Sequence, residues 1–368
     1  MLTIKTSRDS LLKPLQSVTG IVERRHTLPI LSNVLIETGA EKASFVATDL
    51  EIQIRAEAQL AKSVPNGALT LSAKKLQDIL RSLPEEMDVA LDEKDGRVTL
   101  RAGKSRFNLQ ALPAVDFPRL APGQDAATVL EIPQNTLRRL LHLTQFAMAV
   151  QDIRYYLNGL LLSVDGTSLR VVATDGHRLS YASYPMVGDL PKLDVILPRK
   201  TVIELSKLLG DSDDPVRIEV RQNQVLFSFA GVEIVSKVVD GKFPDYTKVV
   251  PTTYVKKVSL DRMTLLQALQ RAAILSNEKI RGVRLVLTTN NLSLICSNNE
   301  QEEAEEELVV DYVNDALDIG FNITYLLDVL NHIDVDKVDI SFGDANSSAL
   351  LTIPGREDFK YVVMPMRI

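Results

Sequence analysis

The 368-residue sequence predicts an α+β fold of three tandem repeats, each a doubled unit of one helix and about four strands. The first observation is the stretch YYLNGLLLSVDGTSLRVVATDGHRL, from Tyr155 to Leu179. Its apolar runs, Leu160–Val164 and Leu169–Ala173, flank Asp165-Gly166 and read as a β-hairpin. Related stretches stand near both ends, LSNVLIETGAEKASFVATDLEI and RGVRLVLTTNNLSLICSNNEQE. Thr48-Asp49 and Thr174-Asp175 lie 126 positions apart, and Ser297-Asn298 follows 123 later. The second observation is AKKLQDILRSL (73–83) against RKTVIELSKLL (199–209), again at 126, and the third is Phe117-Pro118 against Phe243-Pro244. Between the first two repeats the offset of 126 is kept at every one of these features.

Each repeat opens with a short strand and a helix. Leu2-Thr3-Ile4 leads to Ser7 as N-cap and a helix over 7–19, in which Pro14 is a misfit that predicts a kink. Val129–Ile132 leads to a helix over 133–148, with Leu137, Leu140, Leu141 and Met148 on one stripe. Val255–Val258 leads to Ser259 and a helix over 259–274. The hairpin follows, and then a second helix, predicted over 72–82, 198–208 and 321–332. The offset pairs Lys74 with Lys200, Asp78 with Glu204 and Arg81 with Lys207, opposite the stripes Leu76, Ile79, Leu83 and Val202, Leu205, Leu209. Linkers near Pro122–Ala126 and Pro251–Thr253 give domains at 1–125, 126–252 and 253–368.

Composition bounds the class. Hydrophobic content of 45% and charged content of 24% suit a soluble globular chain. No run approaches the roughly 18 apolar residues of a membrane span, and the first residues lack a secretory pattern. With one cysteine, Cys296, neither an internal disulfide nor a multi-cysteine metal site is expected. The expectation is a cytoplasmic protein with no membrane partner, cofactor or metal.

The net charge of −6 argues against a polyanion partner, but charge is sorted along the chain. The six helical segments together carry +7, leaving −13 elsewhere. Basic pairs at matched positions on repeated helices suit a phosphate backbone gripped without sequence readout. No helix-turn-helix, zinc finger or aromatic RNA-binding motif is present.

With these features in place, the chain resembles the bacterial DNA polymerase III β subunit family, the sliding clamps. The resemblance runs the whole length and is strongest in HTLPILSNVL (26–35), QDIRYYLNGLL (151–161), VATDGHRL (172–179), FPDY (243–246), AAILSNEKIRGVRL (272–285), EQEEAEE (300–306) and the terminal YVVMPMRI. It implies three DNA-clamp domains per chain, closed head to tail by a homodimer into a ring, with helices inside and sheets outside. Twelve helices about 9 Å apart give a centre-line diameter of about 34 Å, wide enough for a duplex. It implies a processivity factor of the replicative polymerase, with no catalysis of its own, that encircles double-stranded DNA.

The family's functional positions map onto this chain. A peptide pocket would involve Leu157, Thr174, Gly176, His177, Arg178, Leu179, Pro244, Lys248, Val249, Ser348, Val362, Val363, Met364, Pro365, Met366 and Arg367; Lys248 stands where the family often has arginine. It would receive short Leu- and Phe-bearing motifs of the polymerase III α subunit, the clamp loader, other polymerases and repair proteins. Apolar walls, adaptable methionines and arginines suit that task. DNA contact is implied for Arg24, Arg25, Gln151, Arg154, Tyr155 and Tyr156, with Lys74, Arg81, Arg138, Lys200, Lys207, Arg281 and Arg284 as further candidates. Closure needs two unlike surfaces: Arg97, Arg101, Lys104, Arg106, Phe107 and Leu109 against Glu300, Glu302, Glu303, Glu305, Glu306, with Ile274 and Leu275.

Competing signals are weaker. Gly103-Lys104-Ser105 lacks the earlier glycine and following helix of a phosphate loop. Asp175 and His177 as a hydrolase pair lack a serine elbow or usable cysteine. A third alternative is a DNA-binding scaffold that never closes.

Overall fold

The computed structural model describes residues 2–23, 27–123 and 125–368. The first repeat runs β1 (Leu2–Ser7), α1 (Arg8–Thr19), β2 (Asn33–Thr48), β3 (Ile52–Ser72), α2 (Ala73–Ser82), β4 (Asp88–Lys94), β5 (Arg97–Ala102) and β6 (Ser105–Gln110). The second runs β7 (Thr128–Pro133), α3 (Gln134–Thr144), β8 (Gly159–Thr174), β9 (Arg178–Pro198), α4 (Arg199–Leu208), β10 (Pro215–Val220), β11 (Gln224–Phe229) and β12 (Val232–Lys237). The third runs β13 (Lys256–Asp261), α5 (Arg262–Ala272), β14 (Gly282–Thr288), β15 (Asn291–Ser297), β16 (Glu303–Val309), β17 (Leu317–Asn322), α6 (Ile323–His332), β18 (Lys337–Phe342), β19 (Ala349–Thr352) and β20 (Phe359–Val363).

Local chemistry sets the helix ends. Ser7 caps α1 by accepting from the Ser10 N–H, and the helix runs through Pro14 unbroken. Two expected boundaries move. The helix expected over 133–148 ends at Thr144, whose hydroxyl bonds back to the Leu140 carbonyl, and a 3-10 turn takes Gln145–Ala147. The helix expected from Ser259 starts at Arg262, because β13 pairs with β18 as far as Asp261. Asp261 then caps it, bonding the Thr264 N–H at 2.7 Å. One face expected to be solvated is not: Glu204 on α4 is buried, against Gly20.

The hairpins double back where Asp165-Gly166 predicts. Leu161 and Val172, both on β8, share one buried cluster. A straight strand would hold them about 36 Å apart, so the chain reverses between them, at Gly166 with φ +61°. Leu35 and Val46 on β2 behave alike. The third repeat turns openly, Thr288 opposite Asn291.

Strand exchange between repeats organises the sheets. β12 pairs with β3, Val232 opposite Ala56, which completes the sheet β2-β3-β12-β11-β10-β7. One repeat later β20 pairs with β9, Phe359 opposite Ala182, which completes β13-β18-β19-β20-β9-β8. The compact units therefore do not follow the repeats: one is Met1–Arg138 with Ile203–Val238, the other Arg139–Val202 with Val239–Ile368. The first also holds the sheet β1-β4-β5-β6 and the second β16-β15-β14-β17, so β6 and β16 each end a sheet. No helix among the described residues is long and apolar enough to cross a membrane.

Candidate functional site

In the second unit a cleft of about 290 Å³ opens beside the turn between β8 and β9. That turn is built by two side chains. The Thr174 hydroxyl donates to the Arg178 carbonyl and accepts from the Gly176 N–H, while Asp175 Oδ1 accepts from the N–H groups of His177 and Arg178. Gly176, at φ +89°, occupies the left-handed region that the turn requires. Leu157, Leu179 and Val362 are buried along the cleft, and Met364, 47% exposed, stands at its mouth. The Met364 N–H donates to the His177 carbonyl, which ties the chain end to the turn.

Arg178 is the fixed point of this wall. Its side chain, 9% exposed, donates to Asp175 Oδ2 at 3.1 Å, Asp328 Oδ2 at 2.5 Å and the Phe146 carbonyl at 2.8 Å, and it lies over the Tyr325 ring. Burial opposes its charge, but Tyr361, Asp328 and Asp175 more than compensate, so its pKa lies above the ordinary value. Burial pushes the Tyr361 hydroxyl upward as well.

The structure brings together eleven of the sixteen expected pocket residues: Leu157, Thr174, Gly176, His177, Arg178, Leu179, Pro244, Val249, Ser348, Val362 and Met364. Five do not line the cleft. Lys248 is exposed and pairs with Asp245 at 3.3 Å. Val363, next to Val362 on β20, points to the opposite, fully buried face, as strand alternation demands. Pro365, Met366 and Arg367 follow the strand's end, where the Met366 N–H binds the Gly320 carbonyl beside β17.

Three lining residues were missed as pocket residues: Arg154, Tyr156 and Tyr246. Arg154 grips Asp152 with two hydrogen bonds, of 3.0 and 2.9 Å, and reaches the Asp175 carbonyl. Those bonds hold the Asp152 carboxyl down at about 2. Arg154 and Tyr156, assigned to DNA from the sequence, thus wall the cleft, and for Arg154 the bond to the Asp175 carbonyl is what places it there.

The other expected DNA contacts are dispersed. Arg24 and Arg25 lie outside the described residues. Lys74, Arg81, Arg138, Gln151 and Arg281 are exposed, Tyr155 is 58% exposed in the 3-10 turn Tyr155–Leu157, and Lys200 is half-buried. Lys207 pairs with Glu204 at 2.7 Å, and Arg284, on β14 rather than a helix, pairs with Asp318.

The expected interface residues fall on or beside the two sheet ends. Lys104, exposed in the turn before β6, and Arg106, exposed on that strand, accompany half-buried Phe107 and Leu109; Arg97 and Arg101 lie one strand in, Arg101 beside Asp92 at 3.5 Å. Glu303 and Glu305 are exposed on β16, with Glu300 and Glu302 just before it and Ile274, 78% exposed, and Leu275 in the turn after α5. Glu306 is held differently, in a two-bond pair with Arg271 on α5.

Comparison with known proteins decides the family. Three profiles match in order: the DNA polymerase III beta subunit N-terminal domain over residues 2–121, central domain over 131–245 and C-terminal domain over 247–367. The chain belongs to the DNA polymerase III beta subunit family. Its domains are three tandem clamp domains. The beta sliding clamp of Pseudomonas putida is 47% identical over 364 residues, 98% of each chain, and that of Escherichia coli K12 45% over 361 residues, again 98% of each. Among solved structures, the Pseudomonas aeruginosa sliding clamp bound to griselimycin superposes with a TM-score of 0.96 at 45% identity, covering 100% of both chains. The Caulobacter crescentus clamp does so at 0.94 and 39%, covering 100% of this chain and 99% of that one.

This is a sliding clamp, a non-catalytic processivity subunit of the replicative polymerase. The hydrolase alternative falls with the family and on the geometry of Asp175. Oδ1 is taken by two backbone N–H groups and Oδ2 is engaged by Arg178, so the carboxylate holds the turn and the arginine together. Gly103-Lys104-Ser105 is the turn between β5 and β6, Ala102 opposite Ser105, and not a phosphate loop.

Proposed function

We propose that two copies of this chain close head to tail into a six-domain ring that encircles duplex DNA and slides along it in the cytoplasm. The domains would be 1–125, 126–252 and 253–368. The observation that carries the reading is the unfinished strand exchange. β6 is the first-repeat counterpart of β12 and β20, each of which finishes a sheet begun in the preceding repeat. β16 is the third-repeat counterpart of the receiving segments of β3 and β9. Two of three such junctions are made within the chain; the third is left with one half at each end, basic and apolar on β6, acidic on β16. Joining β6 of one copy to β16 of the next repeats a contact the fold already makes twice, and an isologous dimer would not.

Exposed Lys74, Arg81 and Arg138 on the helices supply attraction to phosphate without sequence readout. The apolar cleft beside Arg178 suits a short peptide with Leu and Phe side chains, carried by the polymerase III α subunit, the clamp loader, other polymerases and repair proteins. The test is retention. The protein loaded on closed circular DNA is expected to survive salt that strips an ordinary electrostatic binder, and to run off once the circle is cut. Equal loss from circle and linear DNA would mean an open scaffold.

A further inference from the structure

Sharing Tyr246 with the apolar cleft is a second cleft of about 230 Å³ in the same unit, lined by Arg170, Tyr181, Tyr246, Thr247, Val250, Thr252 and Lys360. Tyr246 lines both and packs against Tyr181, ring centroids 6.0 Å apart. Lys360 sits 5.8 Å from the Tyr181 ring centroid and has no carboxylate partner among the described residues. Arg170 meets Asp165 only at 3.5 Å.

The first unit holds a control for this arrangement. The cross-strand neighbours Tyr181 and Lys360 repeat, one domain earlier, as Arg55 and Glu233. There a cleft of about 280 Å³ is internally neutralised: Arg55 lies 3.8 Å from Glu233 and 3.5 Å from Glu57. The position matching Glu57 is Ser183, so at the second location both carboxylates are gone, Tyr181 stands in place of Arg55 and Lys360 in place of Glu233. A half-buried cation over an aromatic ring, with hydroxyls at hand and no anion of its own, is complementary to a carboxylate.

We propose that this cleft is a subsite for an acidic residue flanking the apolar anchors of a bound peptide, with Lys360 and Arg170 as its specificity determinants. The proposal rests on the peptide-binding reading of the neighbouring cleft. Its test uses the full-length protein and two synthetic peptides sharing one Leu- and Phe-containing core, flanked at both ends by Glu in one and by Gln in the other. At low ionic strength the Glu peptide is expected to bind about threefold to tenfold tighter. Lys360→Met should erase that preference while leaving the Gln peptide's Kd unchanged, and Lys360→Glu should reverse it. Equal affinity of the two peptides for the native protein, or a preference that persists in both Lys360→Met and Arg170→Met, overturns the subsite. Failure of the Gln peptide to bind at all, or binding that survives deletion of Met364–Ile368, instead removes the apolar cleft as the site, and the subsite with it.

Discussion

The turns at Thr48–Ile52 and Thr174–Arg178 share one backbone and do different work. In both, the threonine hydroxyl donates to the carbonyl four residues on and accepts from the N–H two residues on. In both, the aspartate Oδ1 takes the next two N–H groups. The closing residue then separates them. Ile52 is a buried apolar side chain, whereas Arg178 draws in Asp175, Asp328, Phe146 and Tyr325 and forms a cleft wall. A repeat supplies a scaffold, and one substitution at an equivalent position makes a site of it.

The largest expected effect is at that residue. Arg178→Ala strands two carboxylates and a carbonyl, and is expected to destabilise the second unit by about 3–5 kcal/mol, read as a lowered first transition in calorimetry. A loss below about 1 kcal/mol would mean that Arg178 is no more structural than a surface residue. Next is the aspartate pair. Asp49→Ala loses the bonds to Glu51 and Ile52 and should cost about 1–2 kcal/mol. Asp175→Ala also releases Arg178 and should cost roughly 1–2 kcal/mol more; equal costs would show that the two turns are energetically alike. The smallest contrast is at the left-handed position, Leu50 at φ 78° and Gly176 at φ 89°. Gly176→Leu should cost about 1–2 kcal/mol, and its Cβ would meet the Arg154 guanidinium at 2.9 Å. Leu50→Gly should change stability by less than about 1 kcal/mol, because relief of strain offsets lost chain rigidity. Melting curves of the two variants would separate these outcomes.

Much of this was legible in the residues. The helical stripes found all six helices to within a few residues, because 3.6-residue periodicity is a local property. The boundary at Asp261 was not legible, since the extension of β13 depends on β18, some eighty positions away. Eleven pocket positions came from the family resemblance, and the three missed as lining residues shared one difficulty. Arg154 reads from the sequence as a cation for phosphate, and its place against Asp175 exists only once the chain folds. The same holds for Glu204, which reads as a solvated charge and is buried against Gly20.

By itself the sequence determined the threefold repeat, the helix faces, the Thr-Asp turns and the sorting of charge, because each follows from residue order over a few turns of chain. Tertiary structure alone decided which charges are buried and which strand ends stay open. Burial and pairing belong to groups brought together from distant positions, as Arg178 and Asp328 are, 150 residues apart and 2.5 Å from each other.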